Sequence, residues 1–298
     1  MFIYMNILSI VVTYNRKELL KECILSLENQ RKAKTDILII DNASTDGTEE
    51  MVKKNFPNVI YQNTGSNLGG AGGFNYGIRF SFELEKNYDY LWIMDDDTIP
   101  GDYALFEITK VINKDSKFGF ISPKTMWTDQ TLCLMNRQTD INNKKITEES
   151  VDMTKLDHCT FVACFLNVKA VLEVGLPIKE FFIWSDDTEY TQRISKKYNC
   201  YYASNSIVTH KMKNNHAVSI EFDVEDRIDR YFFLYRNRFY IAKKNGIKKV
   251  IRFHCSVIKK IIRVLIKSKN KRSKRIKIIL KGYFAGMFFN PRIEYIEK

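Results

Sequence analysis

Apolar residues first gather in Ile7 to Thr13, a β-branched run that is apolar on both faces and predicts a strand buried in a parallel sheet. Leu19, Leu20, Cys23, Ile24 and Leu27 then recur at helical spacing between Asn15 and Gln30, and Ile37 to Ile40 form a second apolar run ending in Asp41-Asn42. Strand, helix and strand in this order make a βαβ unit. Ser44 to Glu50 reads as a turn whose capping residues open a short helix, and Val59-Ile60-Tyr61 gives a third strand. Residues 72 to 86 have a helical pattern, and Tyr90 to Met94 is a fourth buried strand that runs into Asp95-Asp96-Asp97. This alternation predicts an α/β fold, an open and mostly parallel sheet with helices on both faces. Beyond residue 115 the alternation fades. Residues 118 to 121, 125 to 135 and 160 to 168 read as strands around a polar stretch from Asp140 to Lys155, expected to complete the sheet and wall the site. A helix to about Lys197, a strand near Tyr201 and a helical segment from Asp223 onward finish the chain.

Composition narrows this little: 45% hydrophobic, 28% charged and only 5 Pro among 298 residues describe a folded globular chain with a sizeable core. Charge changes the picture when it is mapped. The formal net charge is +12, yet Arg230 to Arg292 holds 20 Lys and Arg with no Asp or Glu, which leaves 27 basic against 35 acidic residues elsewhere. The basicity therefore belongs to the C-terminal part, and the expected division is a catalytic unit over 1–220 and a basic helical segment over 221–298. In that segment Ile247, Ile251, Ile258, Ile261, Ile262 and Leu265 fall largely on one helical stripe flanked by Lys248, Lys249, Arg252, Lys259, Lys260, Arg263 and Lys267, the pattern of a helix lying on an anionic membrane surface. The uncharged stretch Met1 to Asn15 is shorter than the ~20 residues of a membrane span and lacks signal-peptide features, so a cytoplasmic location on the inner face of the membrane is expected. Six cysteines without CxxC spacing are expected to be reduced and mostly buried.

Candidate chemistry sits where apolar strands end, because open parallel sheets bind ligands at the carboxyl ends of their strands. Thr13-Tyr14-Asn15-Arg16 follows the first strand, Asp41-Asn42 the second, and the triple aspartate the fourth. Three adjacent carboxylates repel one another unless a cation neutralises them, and Asp95 and Asp97 can face one way from an extended segment. Oxygen ligands of this kind suit Mg2+ or Mn2+, with His210 as a possible third ligand. His158, His216 and His254 read as structural. Asn67 to Gly77 concentrates five glycines, which suggests close backbone approach to an anion. It lacks both the Walker ending and the position of a dinucleotide fingerprint. Asp186-Asp187 opens a helix among Phe181, Phe182, Trp184 and Tyr190, so a carboxylate there could act as a base while the aromatic rings exclude water and stack on a sugar.

Taken in order, Ile10 to Arg16, Asp41 to Thr48, Asn67 to Gly70, Asp95 to Asp97 and Asp186 to Glu189 resemble the inverting nucleotide-sugar glycosyltransferases of family 2, over roughly residues 5 to 215. Gly-Gly-Ala-Gly-Gly-Phe with Asp-Asp-x-Glu-Tyr is more similar to the galactofuranosyltransferases of bacterial cell-surface polysaccharide synthesis, with rhamnosyltransferases next. The resemblance implies the GT-A fold, a Rossmann-like open mixed sheet flanked by helices. It implies a UDP- or dTDP-sugar donor, UDP-galactofuranose ahead of dTDP-rhamnose, and a glycan or polyprenyl-linked acceptor. Carried over by position, Thr13, Asn15, Arg16, Asp41, Asn67, Gly69, Gly70, Asp95 and Asp96 would hold the donor, with Asp41 accepting from the uracil or thymine ring. Asp95, Asp97 and His210 would hold the metal. Asp187 would be the base, beside Asp186, and Trp184, Glu189 and Tyr190 would meet the acceptor. Ser185, between Trp184 and the acidic pair, departs from the pattern, as does the absence of an extra β-domain at the N-terminus. The rivals are a nucleotidyltransferase, which needs a glycine-rich basic loop after the first strand, and a nucleic-acid binder using the basic tail, which leaves the acidic clusters unexplained. No nucleic acid partner is expected, and the sequence is silent on oligomeric state.

Overall fold

A computed structural model describes residues 5–215 and 219–297; His216 lies outside them. The first half follows the alternation: β1 (Ile7–Thr13), α1 (Lys17–Glu28), β2 (Asp36–Asp41), α2 (Thr48–Asn55), β3 (Ile60–Asn63), α3 (Gly69–Ser81) and β4 (Tyr90–Asp95). Then come β5 (Thr98–Pro100), α4 (Ala104–Lys114), β6 (Phe120–Met126), β7 (Thr139–Asp140), β8 (Leu156–His158), β9 (Ala163–Asn167), α5 (Val168–Val174), α6 (Asp186–Ser195) and β10 (Tyr201–His210). Eight strands form one mixed sheet in the order β3-β2-β1-β4-β9-β6-β10-β5, with β7 and β8 paired apart from it. The strands from β3 to β4 are parallel, β9 runs antiparallel to both its neighbours, and β5 is an antiparallel edge on β10. The side-chain period of two then divides β1 between two cores. Ile7 and Val11 pack with Leu20, Ile24 and Leu105, while Leu8, Ile10 and Val12 pack on the other face with Phe74 and Ile78. Both faces are covered, which explains a strand with no polar side.

Two expectations come out differently, and one strand was not expected. All five glycines of the run lie within α3, which starts at Gly69 rather than at residue 72 and ends at Ser81 rather than at 86. Packing against the sheet demands two of them, since a Cβ on Gly73 would sit 2.5 Å from Val12 Cγ1 and one on Gly77 2.8 Å from both Ile10 Cγ2 and Ile40 Cγ1. The strand expected over 125 to 135 stops at Met126, where the chain turns back through Trp127 to Thr131. The short strand β5 follows the triple aspartate too closely for periodicity to reveal it; it is defined only by its pairing with β10.

The C-terminal segment is helical as expected: α7 (Tyr231–Lys244), α8 (Ile247–Lys267) and α9 (Arg272–Phe288). It does not stand apart. Asn237 of α7 donates through Nδ2 to the carbonyls of Phe181, Ile183 and Trp184, at 3.0, 3.2 and 2.9 Å. After α9 the chain returns to the sheet domain, where Glu294 bonds Asn75, Arg79 and Lys179. No helix among the described residues is long and apolar enough to cross a membrane. All six cysteines are free thiols, with only Cys255 exposed.

Candidate active site

The carboxyl ends of β1, β2 and β4 converge because the three strands are neighbours and parallel. At the end of β4 the triple aspartate turns sharply and leads into β5, whose pairing with β10 sets Thr98 opposite His210. That pairing brings His210 from the far side of the sheet to the cluster. Asp95, Asp97 and His210 offer ligand atoms all within 4.8 Å of one another. His210 Nε2 lies 2.9 Å from Asp97 Oδ1, and its Nδ1 lies 2.9 Å from Asn136 Oδ1. Burial alone would lower the pKa of His210, but the hydrogen bond and charge of Asp97 outweigh it and push the imidazole up to about 10. Without a metal ion the imidazolium form is favoured, and ligation of a cation at Nε2 would require loss of that proton while Nδ1 keeps its hydrogen bond with Asn136.

The aspartates divide by environment. Burial, the charge of Asp97 and that of Asp96 push Asp95 up to about 7 against the pull of His210 and Arg16. Burial pushes Asp96 up to about 6, opposed by Arg16. Asp97, also disfavoured by burial, falls below the ordinary carboxylate value because it bonds both His210 and Arg16. Arg16 reaches Asp96 at 3.1 Å and Asp97 at 2.5 Å, and Thr13 Oγ1 donates to Asp96 at 2.8 Å. Two of the three carboxylates, Asp96 and Asp97, are therefore held by cations of the chain itself. The donor set fits a hard divalent ion: two carboxylates and an imidazole within one small volume, with an excess of negative charge that burial penalises.

Other expected donor residues gather at the same sheet end, with their side chains engaged. Asp41 is fully buried, and its oxygens accept from Ser44 N at 2.8 Å and Tyr61 Oη at 2.6 Å. A nucleotide base would share or compete for oxygens that Ser44 and Tyr61 already use. Asn15, at φ +52°, accepts from Thr45 N at 2.7 Å and so joins the loops after β1 and β2. Asn67 caps Gly69 N at 2.9 Å, and Gly69 takes φ +70°, where a Cβ would lie 2.2 Å from the Phe182 carbonyl. Gly70 has open space around it.

The second acidic centre opens α6. Ser185 takes φ +68° and starts the helix, whose first residues are the buried Asp186 and the half-buried Asp187. Asp187 Oδ1 accepts from Thr188 N at 2.6 Å. Burial raises both carboxyls, and the Asp186 carboxyl also feels Asp187 and Asp95, so the two acidic centres lie within electrostatic reach of each other. The three residues expected to meet the acceptor are otherwise engaged. Tyr190 has no exposed surface and packs edge-on against Phe161 at 5.9 Å, so it belongs to the core. Glu189 pairs with Arg193 at 2.9 Å, an i,i+4 pair whose arginine also caps the carbonyls of Val174 and Leu176. Trp184 packs against Tyr231 of α7 at 5.0 Å between ring centres. Three contributors escaped the sequence reading. Asn136 and Tyr61 carry no pattern signal, and Asn237 lies in a segment that reads only as basic helix.

The profile of glycosyl transferase family 2 matches residues 9–175, more than half of the chain. Galactofuranosyltransferase GlfT1 of Mycolicibacterium smegmatis is 25% identical over 258 residues, 82% of this chain and 85% of that protein. Abequosyltransferase RfbV of Salmonella typhimurium is 44% identical over a shorter stretch of 94 residues, 29% of this chain and 26% of its own. Among solved structures, mannosyltransferase PcManGT from Pyrobaculum calidifontis, in complex with GDP-Man and Mn2+, superposes with a TM-score of 0.58 at 17% identity over 96% of this chain and 76% of that one. TarS 1–349 of S. aureus gives 0.57 at 13% identity, over 94% and 72%. Those structural likenesses speak for the fold, and the family profile decides against the nucleotidyltransferase alternative. With its open mixed sheet and strand-end acidic centre, the chain belongs to glycosyl transferase family 2 and is a glycosyltransferase of the GT-A fold.

Proposed function

We propose that this glycosyltransferase moves galactofuranose from UDP-galactofuranose to a hydroxyl of a lipid-linked or polysaccharide acceptor, with inversion and with a divalent ion, in the assembly of a bacterial cell-surface glycan. The observation that carries the reading is the cation-binding cluster of Asp95, Asp97 and His210, with ligand atoms within 4.8 Å of one another, together with a second acidic centre, Asp186-Asp187, in the first turn of α6. A sugar held between them would have a cation-binding cluster on its diphosphate side and a carboxylate on the other. Asp95, Asp97 and His210 would hold Mn2+ or Mg2+, which neutralises charge on a departing nucleoside diphosphate. Thr13, Asn15, Arg16, Asp41, Asn67, Gly69 and Gly70 surround the donor side, and Asp96 holds Arg16 and Thr13 in place there. Asp187 is the reachable member of the pair and takes the proton of the acceptor hydroxyl, its raised pKa making it a better base than an ordinary carboxylate.

We assign residues 1–220 to catalysis and 221–298 to association with the cytoplasmic face of a membrane. Support comes from α8, where Ile247, Ile251, Ile258, Ile262, Leu265 and Ile266 are each 48 to 71% exposed and fall within about 100° of one another around the helix. Lys248, Lys249, Arg252 and Lys259 flank this stripe. Other basic residues of the segment are spent internally: Lys260 and Arg263 pair with the buried Glu221, and Arg275 caps the carbonyls of Ile220 and Asp223.

The test is a donor competition with UDP-galactofuranose, dTDP-rhamnose and UDP-GlcNAc in Mn2+ or in excess chelator. Consumption of UDP-galactofuranose only with the metal is expected. Selective use of dTDP-rhamnose would replace the donor assignment, and full turnover in chelator would remove the metal.

A further inference from the structure

The loop that leads into the acidic pair holds a backbone that its own residues do not favour. Phe182, Trp184 and Ser185 take φ of +63°, +66° and +68°, and none of residues 181–185 is glycine. Bulky side chains seldom enter this region, and the surrounding structure must hold them there. Phe182, with ψ −59°, is the centre of a γ-turn that Ile183 N closes on the Phe181 carbonyl at 2.7 Å, and this hand of the turn is the strained one. Ser185 ends the run and delivers the chain to Asp186 and Asp187 in the first turn of α6.

Two helices hold this loop through its carbonyls. From α3, Ala71 N donates to the Phe182 carbonyl at 3.2 Å, and that carbonyl stands where any residue other than glycine at position 69 would put its Cβ. From α7, the two N–H groups of the Asn237 amide serve the carbonyls of Phe181, Ile183 and Trp184. Asn237 is wholly buried. Its Oδ1 accepts from Arg236 Nε at 3.0 Å, which fixes the end of the amide that faces the loop, since the reverse orientation would set an oxygen against three others. Arg236 donates in turn to the carbonyl of Glu180 and, at 3.3 Å, to that of Phe181. The ring of Phe182 stacks on Phe233 of the same helix at 4.9 Å. One side chain of α7 thus answers three of the four carbonyls between 181 and 184, and Ala71 answers the fourth.

We infer that Asn237 is a positioning residue for the transfer reaction, holding the strained loop in the backbone form that aims Asp187 at the acceptor. This rests on the reading of Asp187 as the base. With the amide removed, three buried or half-buried carbonyls lose their donor, the positive-φ residues relax toward ordinary backbone, and the start of α6 shifts with them. A misplacement of about 1 Å can cost about 10²-fold in rate. The donor side does not depend on the amide: Thr13, Arg16 and the aspartates hold one another, and Gly69 is held by Asn42 and Asn67. The loss therefore belongs to kcat and not to UDP binding.

The test compares Asn237→Ala and Asn237→Ser with a control, Arg275→Gln, whose buried guanidinium caps carbonyls of the same C-terminal segment away from the loop. Calorimetric titration with UDP and Mn2+ counts the competent chains, turnover is measured with the sugar nucleotide that the wild type consumes, and hydrogen exchange follows residues 181–188. Asn237→Ala should bind as many UDP per chain as the wild type with affinity within twofold, exchange faster over the loop, and lose at least tenfold in kcat. Asn237→Ser keeps one donor and should show the same pattern with a smaller loss, and it carries the test alone if the alanine variant does not fold. Arg275→Gln should keep the wild-type kcat per competent chain. Wild-type kcat in the Asn237 variants, a loss matched by fewer UDP sites, or an equal loss in Arg275→Gln would overturn the inference. Full turnover by Asp187→Asn would instead remove the base assignment, while the Asn237 variants would still report whether the loop sets the rate.

Discussion

At the scale of single residues, the site is a set of charges whose environments push their proton affinities apart. In the proposed mechanism Asp187 carries the proton transfer, being accessible and raised by burial. Asp187→Asn should lower kcat by about 10²- to 10⁴-fold, the usual worth of general-base help, and leave UDP affinity within a few-fold. Titration calorimetry with UDP and Mn2+ beside a transfer assay checks both halves. An active Asp187→Asn with a dead Asp186→Asn would move the role to its neighbour. The sign of the pH dependence follows from the same shift. A base works deprotonated, and a raised pKa means that protonation sets in at higher pH, so the acid limb of kcat/KM should have its midpoint above the ordinary aspartate value of 3.8. A limb at or below that value would contradict the burial of this carboxyl. The acidic residues were legible in the sequence because they interrupt apolar strands. Tyr190 was misplaced for a physical reason: an aromatic three residues after Asp187 looks the same in sequence whether it faces a sugar or the core against Phe161.

At the scale of elements, α3 shows how a sequence can signal the right place for the wrong reason. Its glycines stand out in composition, and glycine suggests a ligand loop, yet two of them are there to let a helix approach a sheet. Gly73→Ala would drive a methyl into Val12 and should destabilise the protein by about 1 to 3 kcal/mol, the usual cost of overpacking. Gly70→Ala meets nothing within 4 Å and lies in a helix at ordinary φ, so it should be neutral or stabilising by up to about 1 kcal/mol. Denaturant melts of the two variants give the comparison, and equal losses would contradict the packing account. The parallel strands β1 to β4 were readable because burial on both faces leaves unbroken apolar runs. The return strands were less so: β5 has three residues, β9 five, and both are fixed by partners distant in sequence.

At the scale of the whole molecule, the basic segment is both a structural part of the enzyme and the bearer of an exposed apolar face. Ile258→Asp with Ile262→Asp alters that face at residues 59 and 48% exposed and should leave the fold intact. Co-sedimentation with phosphatidylserine vesicles should fall at least tenfold in the double variant, and wild-type binding should weaken in high salt, since each free Lys or Arg near the surface contributes about 1 kcal/mol. Binding unchanged by either would reject the membrane assignment. Truncation before Ile247 is a poorer test, because it would also remove the return of the chain to the sheet domain. That return has a consequence for how the enzyme comes into being. Lys179 and Glu294 are 115 positions apart, and the backbone of Leu176 is bonded to the same residue. The loop that leads to the acidic pair therefore gains its support only after the three helices have been synthesised and have folded back. Catalytic competence and the exposed apolar face of α8 would then mature in one step, so that, on the proposed membrane assignment, a nascent chain would gain no ability to transfer sugar before it could reach a membrane.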